Sequence, residues 1–440
     1  MENKEESGSL STAPLLGSSP QQAQGRRDDE PGKGRSTWAQ TLGNIVVSII
    51  GTGVLGLPYA FRVAGWAAGS LGVALAGVST CYCMLLLVQC RDKLEDEDKE
   101  GSICITTYGD LGAKAFGKAG RYLTEILILV SQAGGAIAYL IFIGQNLSST
   151  FSSTGTNHFS ISPSIFIFLV LLPLEIVLSF IRSLSSLAPF SAFADACNIL
   201  AMAIVIKEDF QLFKSFTETR RAFNGALGLP FAAGVAVFCF EGFSMTLALE
   251  ASMAEKGKFR RVLSWAFLGI TSAYVLFGIF GYLAYGDETK DIITLNLPNN
   301  WSAIVVKVGL CIGLAFTFPI MMHPIHDITE GKLKSSGWFQ RLCHKARGAE
   351  EFGLHGVRIL MVVIMAILAS LIPGFGDFIS LVGSTVCALL SFVMPATFHL
   401  TLMGSHLKYW QRLLDFCILV VGVVFAGHGT YDAISKHSRR

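Results

Sequence analysis

Two short segments of this 440-residue chain place residues that could bind a small molecule inside otherwise apolar sequence. Residues 49–58 read IIGTGVLGLP, with three glycines within six positions and a proline. Because a glycine costs a helix about 1 kcal/mol and a proline about 3 kcal/mol, this segment predicts an interrupted helix. Residues 238–245 read FCFEGFSM, where Glu241 stands beside Gly242 in an apolar run. An acidic residue there is unfavourable by roughly 2.5–3.5 kcal/mol, which makes Glu241 a functional candidate.

The chemistry of an interrupted helix suits a zwitterion. Its unwound turn exposes N–H groups that can hold a carboxylate and carbonyls that can hold an ammonium group. Glycines at the interruption let a ligand approach the backbone closely. The predicted substrate-binding residues are Gly51, Thr52, Gly53, Val54, Leu55, Gly56, Phe240, Gly242, Phe243 and Ser244. Glu241 is the predicted proton carrier, and its alternative role is a structural hydrogen bond across the interruption.

The composition of the whole chain indicates the class of protein in which these two segments lie. Only 15% of the residues are charged, 52% are hydrophobic, and the mean hydropathy is +0.53. A soluble protein normally carries about a quarter charged residues, and a net charge of +2 provides no basic surface for nucleic acid. These values exclude a soluble enzyme, a disordered protein and a nucleic-acid binder. They predict an all-α protein that crosses the lipid bilayer many times.

Eleven segments have the length of about 20 residues that a membrane-spanning helix needs. They are residues 39–62, 66–90, 121–147, 164–181, 186–206, 228–253, 261–285, 302–326, 356–373, 375–399 and 411–431. Of the 34 lysines and arginines, 24 fall on the side that carries the N-terminus, which places the N-terminus in the cytosol.

The spacing of the two interruptions predicts an internal repeat. Five spans lie between the start of the first and the start of the sixth, so the two interrupted helices enter the membrane from opposite sides. Such an inverted five-plus-five repeat occurs in many secondary transporters, whose substrate site lies at the paired breaks. The predicted organisation is a disordered cytosolic tail at 1–36, a first repeat at 37–206 and a second at 207–400. Residues 401–440 form an appended eleventh span and a short lumenal tail.

Several of these motifs match a known family. GTGVLGLPYA at residues 51–60 resembles the first-helix signature of the amino acid/auxin permease family. FEG at 240–242, followed by Leu249 and Glu250, is similar to the sixth-helix motif of its proton-assisted amino acid transporter branch. SQAG at 131–134 and FTFP at 316–319 also resemble family patterns. The similarity spans roughly 37–430 and is greatest to plant vacuolar neutral amino acid transporters. It implies a LeuT-type fold, amino acid substrates, and coupling to protons or, in another branch, to sodium.

Protons are the expected coupling ion, and no cofactor or metal is expected. The sodium-coupled branch has an asparagine at the position of Val47, whose side chain cannot ligate a cation, although backbone carbonyls and Thr317 could still contribute. Ser131, Thr317 and Glu250 are secondary site candidates, and Glu250 is equally consistent with a structural tie and a gate. Because no arginine or lysine lies near either interruption, the expected substrates are small or medium neutral amino acids.

The other polar residues within the spans are expected to be mainly structural. Arg121 and Glu125 are four residues apart and are predicted to pair, whereas Glu175 and Asp195 are equally consistent with a proton relay and with packing. The residues predicted to face water at span ends are His323, His326, Asp327, Asp377 and His399.

The leading hypothesis is a proton-coupled symporter that moves neutral amino acids from an acidic lumen to the cytosol by alternating access. TAPLL at residues 12–16 resembles a dileucine sorting signal. Together with the resemblance it favours the vacuolar membrane, or tonoplast, over the plasma membrane. The alternatives are a sodium-coupled or plasma-membrane importer, an amino acid sensor that binds without flux, and an intramembrane enzyme that uses His323 and Asp327. No enzyme motif supports the last.

Overall fold

The computed structural model describes residues 36–97, 105, 107–154, 162–181, 184–212, 220–298, 300–343, 349–404 and 407–438. Nearly all of these residues are helical. The tail predicted at residues 1–36 lies outside the described residues except for Ser36.

Sixteen α-helices are formed by the described residues. The first seven are α1 Trp38–Ile49, α2 Leu57–Ala64, α3 Trp66–Glu97, α4 Tyr108–Thr154, α5 Pro163–Phe166, α6 Leu172–Ser179 and α7 Leu184–Leu212. The others are α8 Leu229–Cys239, α9 Phe243–Ser252, α10 Phe259–Tyr285, α11 Trp301–Ser335, α12 Gly337–Cys343, α13 Ala349–Leu371, α14 Phe375–Val382, α15 Met394–Met403 and α16 Tyr409–Ser438. Two π-helical turns, Gly383–Cys387 and Leu389–Val393, join α14 to α15.

The lengths and apolar character of the helices agree with the prediction of a protein that crosses the membrane many times. Eight helical segments of the described residues are long and apolar enough to cross a bilayer, among them Ala226–Ser252, which includes α8 and α9, and Phe375–Met403, which includes α14 and α15. A ninth is added if α1 and Thr52–Ala64 form one bent span. The two other predicted positions contain the shorter apolar helix Pro163–Ser179 and α7. Each of the eleven predicted segments therefore lies in helical structure, and the chain is a multi-pass membrane protein.

The helices differ in how much of their surface the protein buries. In the most apolar 18-residue stretch of each span, 72% of the residues are buried for Phe375–Met403 and 67% for Tyr108–Phe151. The corresponding value for Tyr409–Asp432 in α16 is only 22%. The last helix therefore lies at the periphery, as expected for an appended span.

Backbone hydrogen bonds join the start of α1 to the end of α9. Ser36 and Met253 form a parallel β-bridge. The Ser36 N–H donates to the Ser252 carbonyl at 3.0 Å, and the Ala254 N–H donates to the Ser36 carbonyl at 3.0 Å. The face of the molecule that carries this bridge is called the N-terminal face below.

Side chains bring the ends of α3 and α15 to the same face. Arg91 of α3 pairs with Glu250 of α9, and both side chains are 2% exposed. The ammonium group of Lys93, also in α3, donates to the Leu402 carbonyl in α15 at 2.8 Å. The N-terminal face is therefore held together by contacts between four helices.

Candidate functional site

The first predicted interruption is present. Helix α1 ends at Ile49, Ile50 and Gly51 have extended backbone, and a 3₁₀ turn over Thr52–Gly56 leads into α2. The two halves are bent by 49°. Because three glycines and a proline weaken a regular helix, the chain changes direction here at little cost.

The second predicted interruption is also present, in the sixth span. Helix α8 ends at Cys239, and α9 begins at Phe243. Glu241 and Gly242 lie between them in non-helical backbone. The carbonyls that end α8 and the N–H groups that begin α9 therefore lack the full set of helical partners.

The two interruptions lie side by side, and one tyrosine bridges them. The hydroxyl of Tyr274 in α10 lies 3.2 Å from the Ile49 carbonyl and 3.3 Å from the Cys239 carbonyl. These carbonyls end α1 and α8. The hydroxyl has one proton, so it donates to either carbonyl and leaves the other with acceptor capacity. Tyr274 was not predicted from the sequence, because a lone tyrosine in an apolar span resembles an ordinary core residue.

The three glycines of the first interruption have different surroundings. A Cβ atom on Gly51 would meet no atom within 4 Å, so open space adjoins its backbone. A Cβ on Gly53 would lie 2.9 Å from the Phe238 ring, and one on Gly56 would lie 2.8 Å from Ile379. Gly51 can therefore admit a ligand to the backbone, while Gly53 and Gly56 allow close packing of helices.

Glu241 lies near two residues of other helices. Its side chain is half-buried and lies within electrostatic reach of the Cys387 thiol in the π-helical turn of the tenth span. The Cys387 sulfur is 3.7 Å from the Ser131 hydroxyl of α4. The predicted proton carrier and the secondary candidate Ser131 are thus brought to one region.

The other residues predicted for substrate binding are buried. Phe240 stacks against Phe267 at 5.9 Å and contacts the Tyr274 ring at 5.1 Å, and Phe243 lies 6.4 Å from the Tyr108 ring. Both phenylalanines are 0% exposed, so their rings pack between helices. The remaining buried members of the predicted set are Thr52, Gly53, Val54, Leu55, Gly56, Gly242 and Ser244.

Two secondary candidates have structural partners. Glu250 forms the buried ion pair with Arg91 described above, which supports a role as a tie or gate on the N-terminal face. The Thr317 hydroxyl donates to the Gly313 carbonyl of its own helix at 2.8 Å. The Val47 side chain is 48% exposed.

For the other polar residues within the spans, the structure confirms some predictions and corrects others. Arg121 and Glu125 pair at 2.8 Å as predicted. Glu175 is fully buried, and its carboxyl oxygens have no hydrogen-bond partner among the described residues. The predictions that His326 and His399 face water are wrong, because they are 4% and 1% exposed.

The two residues named for the rival intramembrane enzyme contact each other. His323 and Asp327 form a pair at 2.9 Å near the end of α11, and Asp377 is exposed as predicted. Within the described part of the chain, no group of three histidine, cysteine or acidic side chains could hold a metal ion. The Asp195 side chain lies outside the described residues.

The face opposite the N-terminal face has a charged cavity of about 250 Å³. Its lining residues are Tyr59, Arg62, Lys290, Asp291, Gly374 and Asp377. Arg62 donates to the Thr289 carbonyl at 2.8 Å. The Asp291 carboxylate accepts the Phe375 N–H at 2.9 Å and so caps the start of α14. Burial raises the pKa of Asp291. Hydrogen bonds from backbone N–H groups, including that of Phe375, offset part of the rise.

Helical spans with two adjacent interruptions define a class of proteins, the secondary transporters with paired broken helices. Two solved structures share the fold. Mhp1 in its inward-facing conformation matches with a TM-score of 0.54 and 11% identity, over 94% of this chain and 96% of that chain. MhsT in complex with L-phenylalanine matches with a TM-score of 0.51 and 12% identity, over 91% and 100%. The predicted LeuT-type fold is confirmed by this likeness.

The family follows from sequence comparison. Residues 34–435 match the model described as transmembrane amino acid transporter protein. Amino acid transporter ANT1 of Arabidopsis thaliana is 55% identical over 96% of each chain, and AVT3B of the same plant is 40% identical over 94% and 98%. Vacuolar amino acid transporter 3 of Schizosaccharomyces pombe is 26% identical over 88% of this chain and 56% of the relative. This chain belongs to the transmembrane amino acid transporter family. The relatives are named as transporters, in agreement with the prediction that the chain is not an enzyme.

Proposed function

We propose that this protein is a proton-coupled symporter that moves neutral amino acids from an acidic lumen into the cytosol. The observation that carries the proposal is the pair of adjacent interruptions with Glu241 at one and the open Gly51 backbone at the other. Exposed backbone groups there suit the ammonium and carboxylate of an amino acid. The predicted site contains no basic side chain, which favours neutral substrates.

The proposed architecture has eleven spans and the inverted five-plus-five repeat. Spans one and six carry the substrate and the proton, and spans three, eight and ten complete the walls. The cytosolic N-terminus rests on the distribution of lysine and arginine. The vacuolar membrane is supported by the name of the Schizosaccharomyces pombe relative and by the TAPLL segment.

Glu241 is the proposed proton carrier. It is a carboxyl group in non-helical backbone within a span, and such groups are candidates for proton relays. Its proximity to Cys387 and, through that residue, to Ser131 connects the sixth span to the tenth and third. Protonation of Glu241 would change the net charge of the region where the third, sixth and tenth spans meet. This region must rearrange during alternating access.

Uptake of labelled alanine into sodium-free proteoliposomes with an imposed pH gradient tests the proposal. We expect uphill accumulation by the wild type and its loss in Glu241→Gln. Glu125→Gln is the matched control, because it makes the same change in a span but at a residue paired with Arg121. Accumulation by Glu241→Gln equal to that of the wild type contradicts the carrier role.

Ion replacement separates the remaining alternatives. Accumulation that begins only when sodium is added would establish the sodium-coupled importer instead. Saturable alanine binding without flux under every gradient would establish the sensor.

A further inference from the structure

A second cluster of ionisable residues lies where α16 meets the helical core. The Nδ1 atom of His399 in α15 is 2.6 Å from the Oδ2 atom of Asp415 in α16. The hydroxyl of Tyr82 in α3 donates to the other oxygen of Asp415 at 3.0 Å. His399 and Asp415 are 1% and 0% exposed. One buried carboxylate therefore joins three helices.

Asp415 contrasts with the rest of α16. This helix presents apolar side chains outward, as shown by Phe416, Val421 and Val424, which are 56%, 66% and 65% exposed. An apolar helix needs no carboxylate to pack on an apolar core, and burying one is unfavourable unless it is paired. The His399–Asp415 contact therefore points to a role beyond packing.

The structure identifies the atom at which a proton would be gained or lost. Nδ1 of His399 is engaged with Asp415, while Nε2 is buried and has no hydrogen-bond partner among the described residues. With a neutral ring, Nδ1–H donates to the carboxylate and the pair carries one negative charge. When Nε2 binds a proton, the ring becomes an imidazolium and the pair becomes neutral. Tyr82 supplies a hydrogen bond but no positive charge.

The other charged groups near the His399–Asp415 pair do not supply the positive charge that this proton would bring. The side chains of α3 within electrostatic reach of Asp415 are Tyr82, Cys83 and Cys90. The nearby cations Lys93 and Arg412 donate to backbone carbonyls near the end of α15, each at 2.8 Å. Tyr108 of α4 donates to a carbonyl of the π-helical turn Leu389–Val393. The titratable residues of α8, α14 and the turn Gly383–Cys387, which also pack on α16, are Cys239, Asp377 and Cys387.

We propose that His399, Asp415 and Tyr82 form a proton-binding site, separate from the helix interruptions, that takes up one proton on Nε2 of His399. Uptake switches the buried contact between α16 and the core from negatively charged to neutral. His399 lies twelve residues beyond Cys387, the neighbour of Glu241, so roughly 15–18 Å along the tenth span separates His399 from Cys387. The proposal is therefore independent of the coupling role of Glu241.

Nitrogen NMR of the full-length protein in lipid nanodiscs, with ¹⁵N-labelled histidine, tests the site directly. The His399 signals are assigned by their loss in His399→Gln. We expect Nε2 to change from the unprotonated to the protonated form as the pH is lowered from about 8 to about 5. In Asp415→Asn the midpoint is expected to change, because the carboxylate that engages Nδ1 is replaced by a neutral amide.

Two further variants serve as controls. His428→Gln changes an exposed histidine of the same α16 and should leave the His399 midpoint unchanged. Glu241→Gln should also leave it unchanged, which distinguishes this site from the coupling site. A His399 ring that stays in one protonation state over the whole pH range in the wild type overturns the proposal. An unchanged midpoint in Asp415→Asn, with the variant folded, overturns it as well.

Discussion

Alanine substitutions at Gly51 and Gly53 separate substrate binding from folding at the first interruption. The two positions are two residues apart, but a new methyl group would meet open space at Gly51 and the Phe238 ring at Gly53. The backbone of Gly51 has φ −112° and ψ −170°, which alanine also adopts. We therefore expect Gly51→Ala to impair binding and Gly53→Ala to impair stability.

The expected magnitudes follow from the contacts. At Gly53 the Cβ atom would lie 2.9 Å from Phe238 and 3.1 Å from the Cys239 sulfur, and such overpacking costs about 1–3 kcal/mol. At Gly51 the substitution is neutral or stabilises the fold by about 0.4–1 kcal/mol, because alanine restricts the unfolded chain. If an amino acid packs against the Gly51 backbone, the methyl group costs its binding about 1–3 kcal/mol by the same overpacking. That corresponds to roughly a 5- to 150-fold loss of affinity.

Thermal unfolding in detergent and equilibrium binding of labelled alanine measure the two effects. Gly269→Ala is the control, since Gly269 lies in α10 with no atom within 4 Å of its Cβ position and should retain wild-type affinity. Wild-type affinity in Gly51→Ala would refute close approach of the substrate to this backbone. Wild-type unfolding of Gly53→Ala would refute the tight crossing of the first and sixth spans.

Two further predictions concern the opposite faces of the molecule. Glu250→Ala should lower the free energy of unfolding by about 1.5–3 kcal/mol, the contribution of a hydrogen bond to a charged group, because Arg91 loses Glu250 but keeps Asp92 as a partner at 2.7 Å. Thermal unfolding measures this loss, and a stability equal to that of the wild type contradicts it. Burial raises the pKa of Asp291, so its contribution to stability is full below the ordinary aspartate value of about 3.9 and is lost as the pH rises through the folded-state pKa. Unfolding measured between about pH 4 and pH 7 should show this loss in the wild type and in Asp287→Asn, an exposed control in the same loop. Asp291→Asn should not show it, and an identical pH profile for all three proteins would disprove the assignment.

The sequence predicted the helical positions and both interruptions, because these depend on local composition. Apolar length determines a span, and clustered glycines, a proline and an intramembrane glutamate weaken a helix wherever the chain places them. The pairing of Arg121 with Glu125 was predictable for the same reason, since both residues lie on one helix.

Contacts between distant parts of the chain were not predictable in this way. His399 was expected to face water because it lies near a span end, yet Asp415 of the next helix buries it. Tyr274 reaches two helix ends that are 225 and 35 residues away in sequence. Such pairings depend on how helices cross, and no periodicity within one helix reveals them.

The β-bridge between Ser36 and Met253 has a mechanical consequence. It fastens the outer end of α1 to the outer end of α9, while the inner ends of both helices adjoin the non-helical backbone of the interruptions. The outer ends of α1 and α9 are therefore coupled through the backbone, so that a displacement of one is transmitted to the other. The buried Arg91–Glu250 pair extends this connection from α9 to α3.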